Sequence, residues 1–375
     1  MQSRLDHQKK IKICFVSPKA YPLFNPNIRA TFGGAEVDLY YLGTELAKDP
    51  NYEVCFIVAD YGQDDVEVYD GATVIQSLDF QKNAIRGGLK IWNALNKADA
   101  DIYMIKSISA GLFLVALFCR LYRKIFVYRT AHATHCDGRY LKRHPLMGKL
   151  FIHSLQQAAL VFAQNEVDKH NLKKTTGHCS IVIPNGHRIA VASTREKKTI
   201  LWVGRSAEFK HPGCFLELAK AFPQERFVMI CQKATGDRDY DILRRKAGEI
   251  ENLVFYEHIS FAETDRFFAA AKVFVNTSDS EGFPNTFIQA CKAGTAILSY
   301  TVNPDDFLNR HDCGRCAGGT FESLISTLRA LLTDELYIEF GQNGLHYVQK
   351  THNVETIVQQ YKQFFNNLAD TSERL

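Results

Sequence analysis

The stretch from Val273 to Gly294 reads VFVNTSDSEGFPNTFIQACKAG. It begins with a β-branched run of strand length, passes through a polar loop that contains Gly282, and ends in a segment with the apolar spacing of a helix. Pro284 suits the first turn of that helix, because the backbone N–H that proline lacks would have no partner there. A strand, a loop and a helix in this order predict one unit of a parallel sheet.

The whole chain repeats this alternation, which predicts an α/β protein with two doubly wound domains that face a cleft. Apolar periodicity stops between residues 184 and 199, where turn and charged residues gather, so we place the domain boundary there. In such sheets ligands bind at the carboxyl ends of the strands, where the strand order reverses. The predicted strands are Lys12–Ser17, Val54–Ala59, Ile102–Ile105, Ile125–Arg129, Leu160–Ala163 and Ile181–Ile183, then Ile200–Val203, Phe227–Cys231, Leu253–Tyr256, Val273–Asn276 and Ala296–Ser299. Three successive helices are predicted at the end of the chain, over Phe321–Leu332, Leu336–Gln349 and Val354–Leu368.

The composition is that of an ordinary globular protein. The 375 residues suffice for two domains, and 46% of them are apolar and 23% charged. These fractions exclude disordered and collagen-like architectures. The formal net charge of +4 is too small to indicate a nucleic-acid-binding protein, which would carry a strong basic stripe.

The ten cysteines are scattered, and several of them, such as Cys14 and Cys231, lie in apolar runs. Free cysteine behaves as a small hydrophobic residue there, so the distribution indicates a reducing cytosol rather than a disulfide framework. The one C-x-x-C pair, Cys313 with Cys316, lacks the second pair that a four-ligand zinc site needs. We therefore interpret this pair as structural or incidental.

The sequence favours a soluble, cytoplasmic protein. The N-terminal residues MQSRLDHQKK are polar and lack a signal-peptide pattern, and the most apolar run, Ala110–Cys119, is half as long as a membrane span. Basic residues follow this run, and apolar plus basic surface suits peripheral contact with an anionic membrane. A buried helix followed by a solvated charged loop is the alternative. The basic residues concerned are Arg120, Arg123, Lys124, Arg139, Lys142, Arg143 and Lys149.

Two loops that follow strands carry groups suited to a phosphate. In Thr31–Glu36, Gly33 and Gly34 allow a close backbone approach, and the helix that follows offers unpaired N–H groups, although an ordinary tight turn would look the same. In Gly204–Lys210, an arginine and a lysine lie between a strand and a helix. Arginine can bind two phosphate oxygens and lysine supplies a point charge, whereas a solvated surface loop is the alternative.

The loop within the opening stretch carries Glu281, and Gln289 lies about one and a half turns into the helix that follows. One of these groups could contact a sugar while the other reaches a second part of the same ligand. A helix-capping role for Glu281 is the alternative.

Four motifs together resemble family 4 of the retaining glycosyltransferases: Gly33-Gly34-Ala35-Glu36, Pro184-Asn185-Gly186, Gly204-Arg205 with Lys210, and SEGFPNTFIQA. The resemblance covers nearly the whole chain and is most specific in the last motif. It implies the GT-B fold, with two Rossmann-like domains at 1–190 and 197–352 and a last helix at 353–375 that crosses back to the first domain. It also implies sugar transfer from a nucleotide sugar.

The resemblance assigns roles to individual residues. Arg205 and Lys210 are similar to the pair that holds the donor diphosphate and stabilises it as the leaving group. Glu281 is similar to the first glutamate of the E-x7-E motif, beside the donor sugar hydroxyls. The residues implied in catalysis are Arg205, Lys210, Glu281 and His132, and those implied in donor binding are Gly33, Gly34, Gly204, Gly282, Phe283, Pro284, Asn285 and Gln289.

Gln289 departs from the family's pattern, and two histidines compete for one of its positions. Gln289 stands where the family commonly has the second glutamate, which accepts hydrogen bonds from ribose, and glutamine keeps one acceptor oxygen but loses the charge. The loss of the charge leaves the affinity for the donor and the identity of its nucleotide open. The family often has a histidine after the strand that ends at Arg129; His132 is the better match and His135 the second, and either could instead be a hydrogen-bonded loop residue.

The leaving diphosphate needs charge stabilisation, which Arg205, Lys210 and helix N-terminal amides can supply. We expect no metal cofactor, although Asp99-Ala-Asp101 and Asp237-Arg-Asp239 spell the D-x-D pattern of metal-dependent transferases. The expected donor is a UDP- or GDP-linked sugar, and the expected acceptor is a glycan or lipid-linked glycan of polysaccharide or lipopolysaccharide assembly. A nucleotide-sugar epimerase and a non-catalytic sugar-nucleotide-binding scaffold remain the alternatives.

Overall fold

A computed structural model describes residues 10–81, 83–189 and 196–372 of the chain. The chain divides into two compact units, one formed by Met1–Gly186 with Val354–Leu375 and the other by His187–Asn353. The sequence predicted boundaries at residues 190, 197 and 353, and residues 190–195 lie outside the described part of the chain.

The first unit is built on an eight-stranded sheet with the order β3-β4-β2-β1-β5-β6-β7-β8, in which β3 pairs antiparallel with β4 and the other pairs are parallel. The strand order reverses between β1 and β5. Its strands are β1 (Ile11–Val16), β2 (Tyr52–Val58), β3 (Val66–Tyr69), β4 (Ala72–Gln76), β5 (Ile102–Lys106), β6 (Ile125–Arg129), β7 (Leu160–Ala163) and β8 (Ile181–Val182). Its helices up to the linker are α1 (Tyr21–Phe24), α2 (Gly34–Leu46), α3 (Ala84–Ala98), α4 (Ala110–Leu121), α5 (Arg139–Arg143), α6 (Pro145–Gln157) and α7 (Glu166–Thr176).

The second unit has a six-stranded parallel sheet with the order β11-β10-β9-β12-β13-β14. Strands are added on one side of β9 and then on the other, so the order reverses between β9 and β12. The strands are β9 (Thr199–Arg205), β10 (Arg226–Gln232), β11 (Leu253–Tyr256), β12 (Ala271–Asn276), β13 (Ala296–Ser299) and β14 (Gly314–Cys316). The helices are α8 (Pro212–Ala221), α9 (Tyr240–Gly248), α10 (Phe261–Ala269), α11 (Asn285–Lys292), α12 (Phe307–Arg310), α13 (Phe321–Thr333) and α14 (Leu336–Thr351).

Apolar strands buried on both faces form these sheets. In β9, Ile200 and Trp202 face one apolar core, whereas Leu201 faces another on the opposite side of the sheet. A continuous apolar run is therefore the sequence signature of such a strand, because successive side chains point to opposite faces and both faces are covered. All the predicted strands are present, and the structure adds β3, β4 and β14, which are short and lie at or near the sheet edges.

The last helix, α15 (Val354–Ser372), belongs to the first unit. Tyr361 packs edge-on against Phe162 of β7 with ring centroids 4.9 Å apart, and Lys362 pairs with Asp49 at 2.6 Å. The chain thus returns to its first unit, as the resemblance implied. None of the described helices is long and apolar enough to cross a membrane.

Candidate active site

The loops after β9 and β12 are joined to each other at the point where the strand order of the second unit reverses. The backbone N–H of Asp279 donates to the carbonyl of Phe209 at 2.9 Å, and the Thr277 hydroxyl donates to the carbonyl of Lys210 at 2.5 Å. The indole N–H of Trp202 donates to the same hydroxyl oxygen at 2.9 Å. These contacts bring the second and third predicted loops together as one surface, at the place where doubly wound sheets bind ligands.

Lys210 and Glu281 form the centre of this surface. Lys210 Nζ lies 2.5 Å from Glu281 Oε1, and the Ser278 hydroxyl donates to the same oxygen at 2.9 Å. The two side chains are only 17% and 14% exposed, so the pair is screened less than a surface ion pair. Gly204 lies underneath, where an added Cβ would come within 2.9 Å of the Trp202 ring and 3.3 Å of Lys210 Cδ.

Arg205 ends β9 at the start of the loop that carries Lys210, and it is half-buried. Among the described residues, its guanidinium makes no hydrogen bond or ion pair. Five N–H donors in a fixed planar arrangement are therefore available to an anion. The next residue pair, His211 with Asp279, has Nε2 and Oδ2 2.5 Å apart and was not predicted from the sequence.

The residues that follow Glu281 form the start of α11. Phe283 is packed between Phe307 and His352, with ring centroids 5.0 and 4.8 Å away, and Asn285 Oδ1 lies 3.2 Å from Nε2 of His187. Within the described residues, α11 has no side-chain hydrogen bond at its N-cap, Pro284. Glu281 bonds Lys210 and Ser278, and its helix-capping role stays an alternative.

Gln289 is buried, and its Nε2 donates to the Thr264 hydroxyl oxygen of α10 at 3.1 Å. That hydroxyl donates its own hydrogen to the carbonyl of Phe261 at 2.6 Å, so its oxygen can only accept from Gln289. An amide N–H meets this requirement, whereas a carboxylate would need the Thr264 hydroxyl to turn away from Phe261. The substitution of the second motif glutamate thus has a structural reason within the unit, and the predicted contact with ribose stays a prediction.

In the first unit, Gly33 and Gly34 begin α2. Glu36 accepts a hydrogen bond from the backbone N–H of Gly33 at 2.7 Å, which ties the start of the glycine loop to the first turn of the helix. Gly34 is exposed. The close backbone approach of a ligand to this loop stays a prediction.

Beneath this loop lies a buried cluster that sequence reasoning missed. Asp38 Oδ2 accepts hydrogen bonds from Arg129 Nε and Lys106 Nζ, both at 2.7 Å. Burial alone would raise the pKa of Asp38, but the two cations outweigh it and lower that pKa to about 2. Burial lowers the pKa of Lys106 to about 8 against the attraction of Asp38. Lys106 and Arg129 are the last residues of apolar strands, and a cation in that position is a signal that a buried partner exists.

The two candidate histidines lie together in the loop after β6, with ring centroids 5.8 Å apart. The backbone N–H of Thr134 donates to His132 Nδ1 at 3.2 Å, so the neutral ring of His132 carries its proton on Nε2. Burial and the neighbouring His132 lower the pKa of His135 to about 4, which keeps His135 neutral near pH 7. His132 is half-exposed and remains the better candidate for contact with a sugar.

The D-x-D segments have local partners. Asp101 accepts the backbone N–H of Lys12 at 2.9 Å, Asp99 pairs with Lys124 at 2.7 Å, and Asp237 accepts the backbone N–H of Asp239 at 2.8 Å. Over the described ranges, no group of three or more His, Cys, Asp or Glu side chains is arranged to hold a metal ion. The ten cysteines, all of them described, are free thiols.

The predicted residues therefore fall into two groups, each described within its own unit. Arg205, Lys210, Glu281 and Gly282–Asn285 share the surface formed by the loops after β9 and β12, and Gln289 is buried farther along α11. Gly33, Gly34 and His132 follow strands of the first unit.

Each of the two units contains a segment that matches a known family profile. The profile of the family described as Glycosyltransferase Family 4 matches residues 32–190, and the profile described as Glycosyl transferases group 1 matches residues 197–334. None of the curated protein sequences is significantly similar to the chain.

Solved structures resemble the chain over nearly its whole length. Sucrose-phosphate synthase from Thermosynechococcus elongatus has a TM-score of 0.79 at 17% identity, covering 96% of this chain and all of that one. HepE from Anabaena, in complex with UDP and glucose, has a TM-score of 0.73 at 16% identity, covering 95% and 99%. A trehalose-6-phosphate protein from E. coli, bound with UDP-2-fluoro glucose, has a TM-score of 0.70 at 13% identity, covering 94% and 98%. These likenesses confirm the predicted fold.

Proposed function

The chain belongs to family 4 of the group 1 glycosyltransferases and has their GT-B fold, and on that premise we propose that it moves a sugar from a nucleotide sugar to a glycan or lipid-linked glycan, with retention at the anomeric carbon and without a metal cofactor. The observation that carries this proposal is the Lys210–Glu281 pair, in a loop that begins at Arg205, whose guanidinium has no partner among the described residues.

The pair explains how the donor is held. The diphosphate of an incoming donor competes with Glu281 for Lys210 Nζ, and Arg205 binds two further phosphate oxygens. Glu281, released from the lysine, then accepts hydrogen bonds from hydroxyls of the donor sugar. Donor binding thus converts an internal ion pair into two separate contacts with the substrate, one at the phosphates and one at the sugar.

The same cations assist bond breaking. The bond between the anomeric carbon and the diphosphate oxygen breaks, and the charge that develops on the diphosphate is stabilised by Lys210 and Arg205. The acceptor hydroxyl oxygen attaches from the same face, and its proton passes to an oxygen of the departing phosphate. No side chain forms a covalent bond to the sugar, and His132 contacts the donor sugar through Nε2–H.

The donor is a UDP- or GDP-linked hexose. UDP-sugars come first in the test, because the solved structures of Anabaena HepE and the E. coli trehalose-6-phosphate protein contain UDP with glucose and UDP-2-fluoro glucose. The acceptor belongs to polysaccharide or lipopolysaccharide assembly.

The lipid-linked acceptor is favoured by one surface of the first unit, formed by the neighbouring helices α3, α4 and α6 together with α5. The sequences of these four helices contain no aspartate or glutamate. Exposed apolar side chains occur on three of them, namely Ile85, Leu89, Leu117, Leu121, Leu146 and Leu150. The exposed basic residues of the same region include Arg86, Arg120, Arg123, Arg139, Lys142, Arg143 and Lys149. Asp137, in the loop before α5, pairs with Arg139 at 2.6 Å. Helices with apolar and cationic side chains and no acidic ones suit an anionic lipid surface, so the enzyme works at the cytoplasmic face of a membrane.

The test is a transfer assay with labelled UDP- and GDP-sugars, chelator, and extracts of lipid-linked glycans as acceptors. Formation of a labelled glycoconjugate with the anomeric configuration of the donor supports the proposal. Conversion of the nucleotide sugar without acceptor would favour the epimerase alternative. Nucleotide-sugar binding without any turnover would favour the scaffold alternative.

A further inference from the structure

One carboxylate of the first unit joins four segments that lie far apart in the sequence. Besides Arg129 and Lys106, Asp38 accepts a hydrogen bond from the backbone N–H of Gly186 through Oδ1, at 3.3 Å. Asp38, Lys106 and Arg129 are 3%, 7% and 0% exposed. The carboxylate therefore holds helix α2, the ends of β5 and β6, and the turn that closes the unit.

A second residue extends the cluster. Asn185 Oδ1 accepts from Lys106 Nζ at 3.1 Å and from an Arg129 guanidinium nitrogen at 2.8 Å, while its amide donates to Gln164 Oε1 at 3.0 Å. Arg129 also donates to the carbonyl of Ile183 at 3.0 Å. Both cations thus have two or more oxygen partners, and the ends of β5, β6 and β7 are linked to the Asn185–Gly186 turn.

Stability is a poor explanation for this arrangement. Removing three charged groups from water costs several kcal/mol per ion, and well-packed apolar residues of similar volume commonly serve as well or better. Buried charges do fix the orientation of chain segments, because each charge-assisted hydrogen bond has a preferred geometry. The segments held here are those that carry the predicted site residues of the first unit.

Asp38 and Arg129 are close in the sequence to the glycine loop and to the His132 loop. Asp38 is one turn beyond Gly34, and Glu36 between them ties the Gly33 amide, so α2 and its glycine loop are oriented as one body. Arg129 is the last residue of β6, and the loop to His132 begins directly after it. Resting on the proposed function, we infer that Asp38 is a positioning residue for sugar transfer, which orients the glycine loop and the His132 loop together through Arg129 and Lys106.

The cluster contains equal numbers of carboxylates and cations, so a variant that removes a charge must be compared with one that keeps all of them. Glu36 also acts on Lys106 through its charge, and Arg129 lies over the Tyr361 ring of α15 at 5.8 Å, so the groups facing one another are two carboxylates, two cations and one aromatic ring. Asp38→Asn leaves two buried cations with one carboxylate. Asn185→Ala keeps every charge and removes an amide whose oxygen accepts from Lys106 and Arg129 and whose nitrogen donates to Gln164.

The experiment compares Asp38→Asn and Asn185→Ala with Glu45→Gln, a control on the same helix whose carboxylate, within the described part of the chain, pairs only with Lys48, at 2.6 Å. Hydrogen exchange of the peptides that cover residues 30–40 and 129–136 is measured without substrate. In both test variants, exchange there is expected to be faster while the β1 peptide keeps its protection. The turnover number kcat is expected to fall at least about tenfold, with the Kd for the donor nucleotide changed by no more than about threefold, because a small misplacement is costly in the transition state.

Unchanged exchange in these two peptides together with kcat within about twofold of the wild type would overturn the inference. If Asp38→Asn does not fold, Asn185→Ala decides by the same criteria. If the wild type transfers no sugar at all, the proposed function fails; the hydrogen-exchange result still decides whether Asp38 orients the two loops.

Discussion

Lys210 and Glu281 contact each other across two loops that end neighbouring strands, with Nζ and Oε1 2.5 Å apart. Seventy-one positions separate the two residues in the chain, and the contact exists because β9 and β12 are adjacent where the strand order reverses. In the proposed function, these are the groups that hold the two ends of the donor, and the ion pair is their arrangement without substrate.

Replacing Lys210 by alanine is expected to lower kcat by about two to three orders of magnitude, because a cation that stabilises the leaving diphosphate is lost from a partly buried site. Steady-state kinetics with the best donor measures this, and circular dichroism checks that the fold is intact. Lys220→Ala is the matched control, since Lys220 of α8 makes an exposed ion pair with Glu217 of the same helix. Near-normal turnover of Lys210→Ala would contradict the role of Lys210 in stabilising the leaving group.

Replacing Gln289 by glutamate is expected to destabilise the protein by about 1–3 kcal/mol, because the Thr264 oxygen loses its donor and a carboxylate enters a buried position. Urea denaturation measures the free energy of unfolding. Gln349→Glu on the exposed face of α14 serves as the control. If Gln289→Glu were as stable as the wild type, the Thr264 contact would not be the reason for glutamine at this position.

The low pKa of Asp38 predicts an acid-sensitive part of the stability. Its folded-state pKa of about 2 lies below the ordinary value of 3.8, so its contribution of about 2 kcal/mol is complete above pH 4 and is lost as the pH falls towards 2. The difference in unfolding free energy between the wild type and Asp38→Asn should therefore shrink over this range. A difference that stays constant from about pH 5 to pH 2 would contradict the ion-paired state of Asp38.

The surface formed by α3, α4, α5 and α6 is expected to bind anionic vesicles at low salt, and less so as salt screens the attraction. Replacing both Arg120 and Arg123 by glutamine should abolish most of the co-sedimentation with vesicles that contain phosphatidylglycerol. The same replacements at Arg226 and Arg238, which are exposed in the second unit, should leave it unchanged. Absence of vesicle binding by the wild type would remove the membrane part of the proposal.

The strands and the loops at their ends could be predicted because local sequence determines them. β-branched apolar runs form buried parallel strands, and Gly282 with Pro284 identifies a loop that leads into a helix. Strand β3 was missed because Val66 and Val68 are exposed at a sheet edge and too few apolar residues alternate there.

The buried contacts could not be predicted, because they join distant positions. Asp38 is 68 residues from Lys106 and 91 from Arg129, and no local pattern pairs them. The same holds for Gln289 and Thr264, whose hydrogen bond depends on how α10 and α11 pack. Only the tertiary structure shows which acceptor each polar group uses.

The most direct test of the central claim is calorimetric titration of the wild type, Lys210→Ala and Glu281→Gln with UDP, GDP and their sugars in the presence of chelator. We expect one nucleotide family to bind the wild type without metal, Lys210→Ala to lose affinity for both the diphosphate and the sugar nucleotide, and Glu281→Gln to lose affinity mainly for the sugar nucleotide. Failure of every nucleotide to bind the wild type, or equal binding by all three proteins, would contradict the account of the donor site.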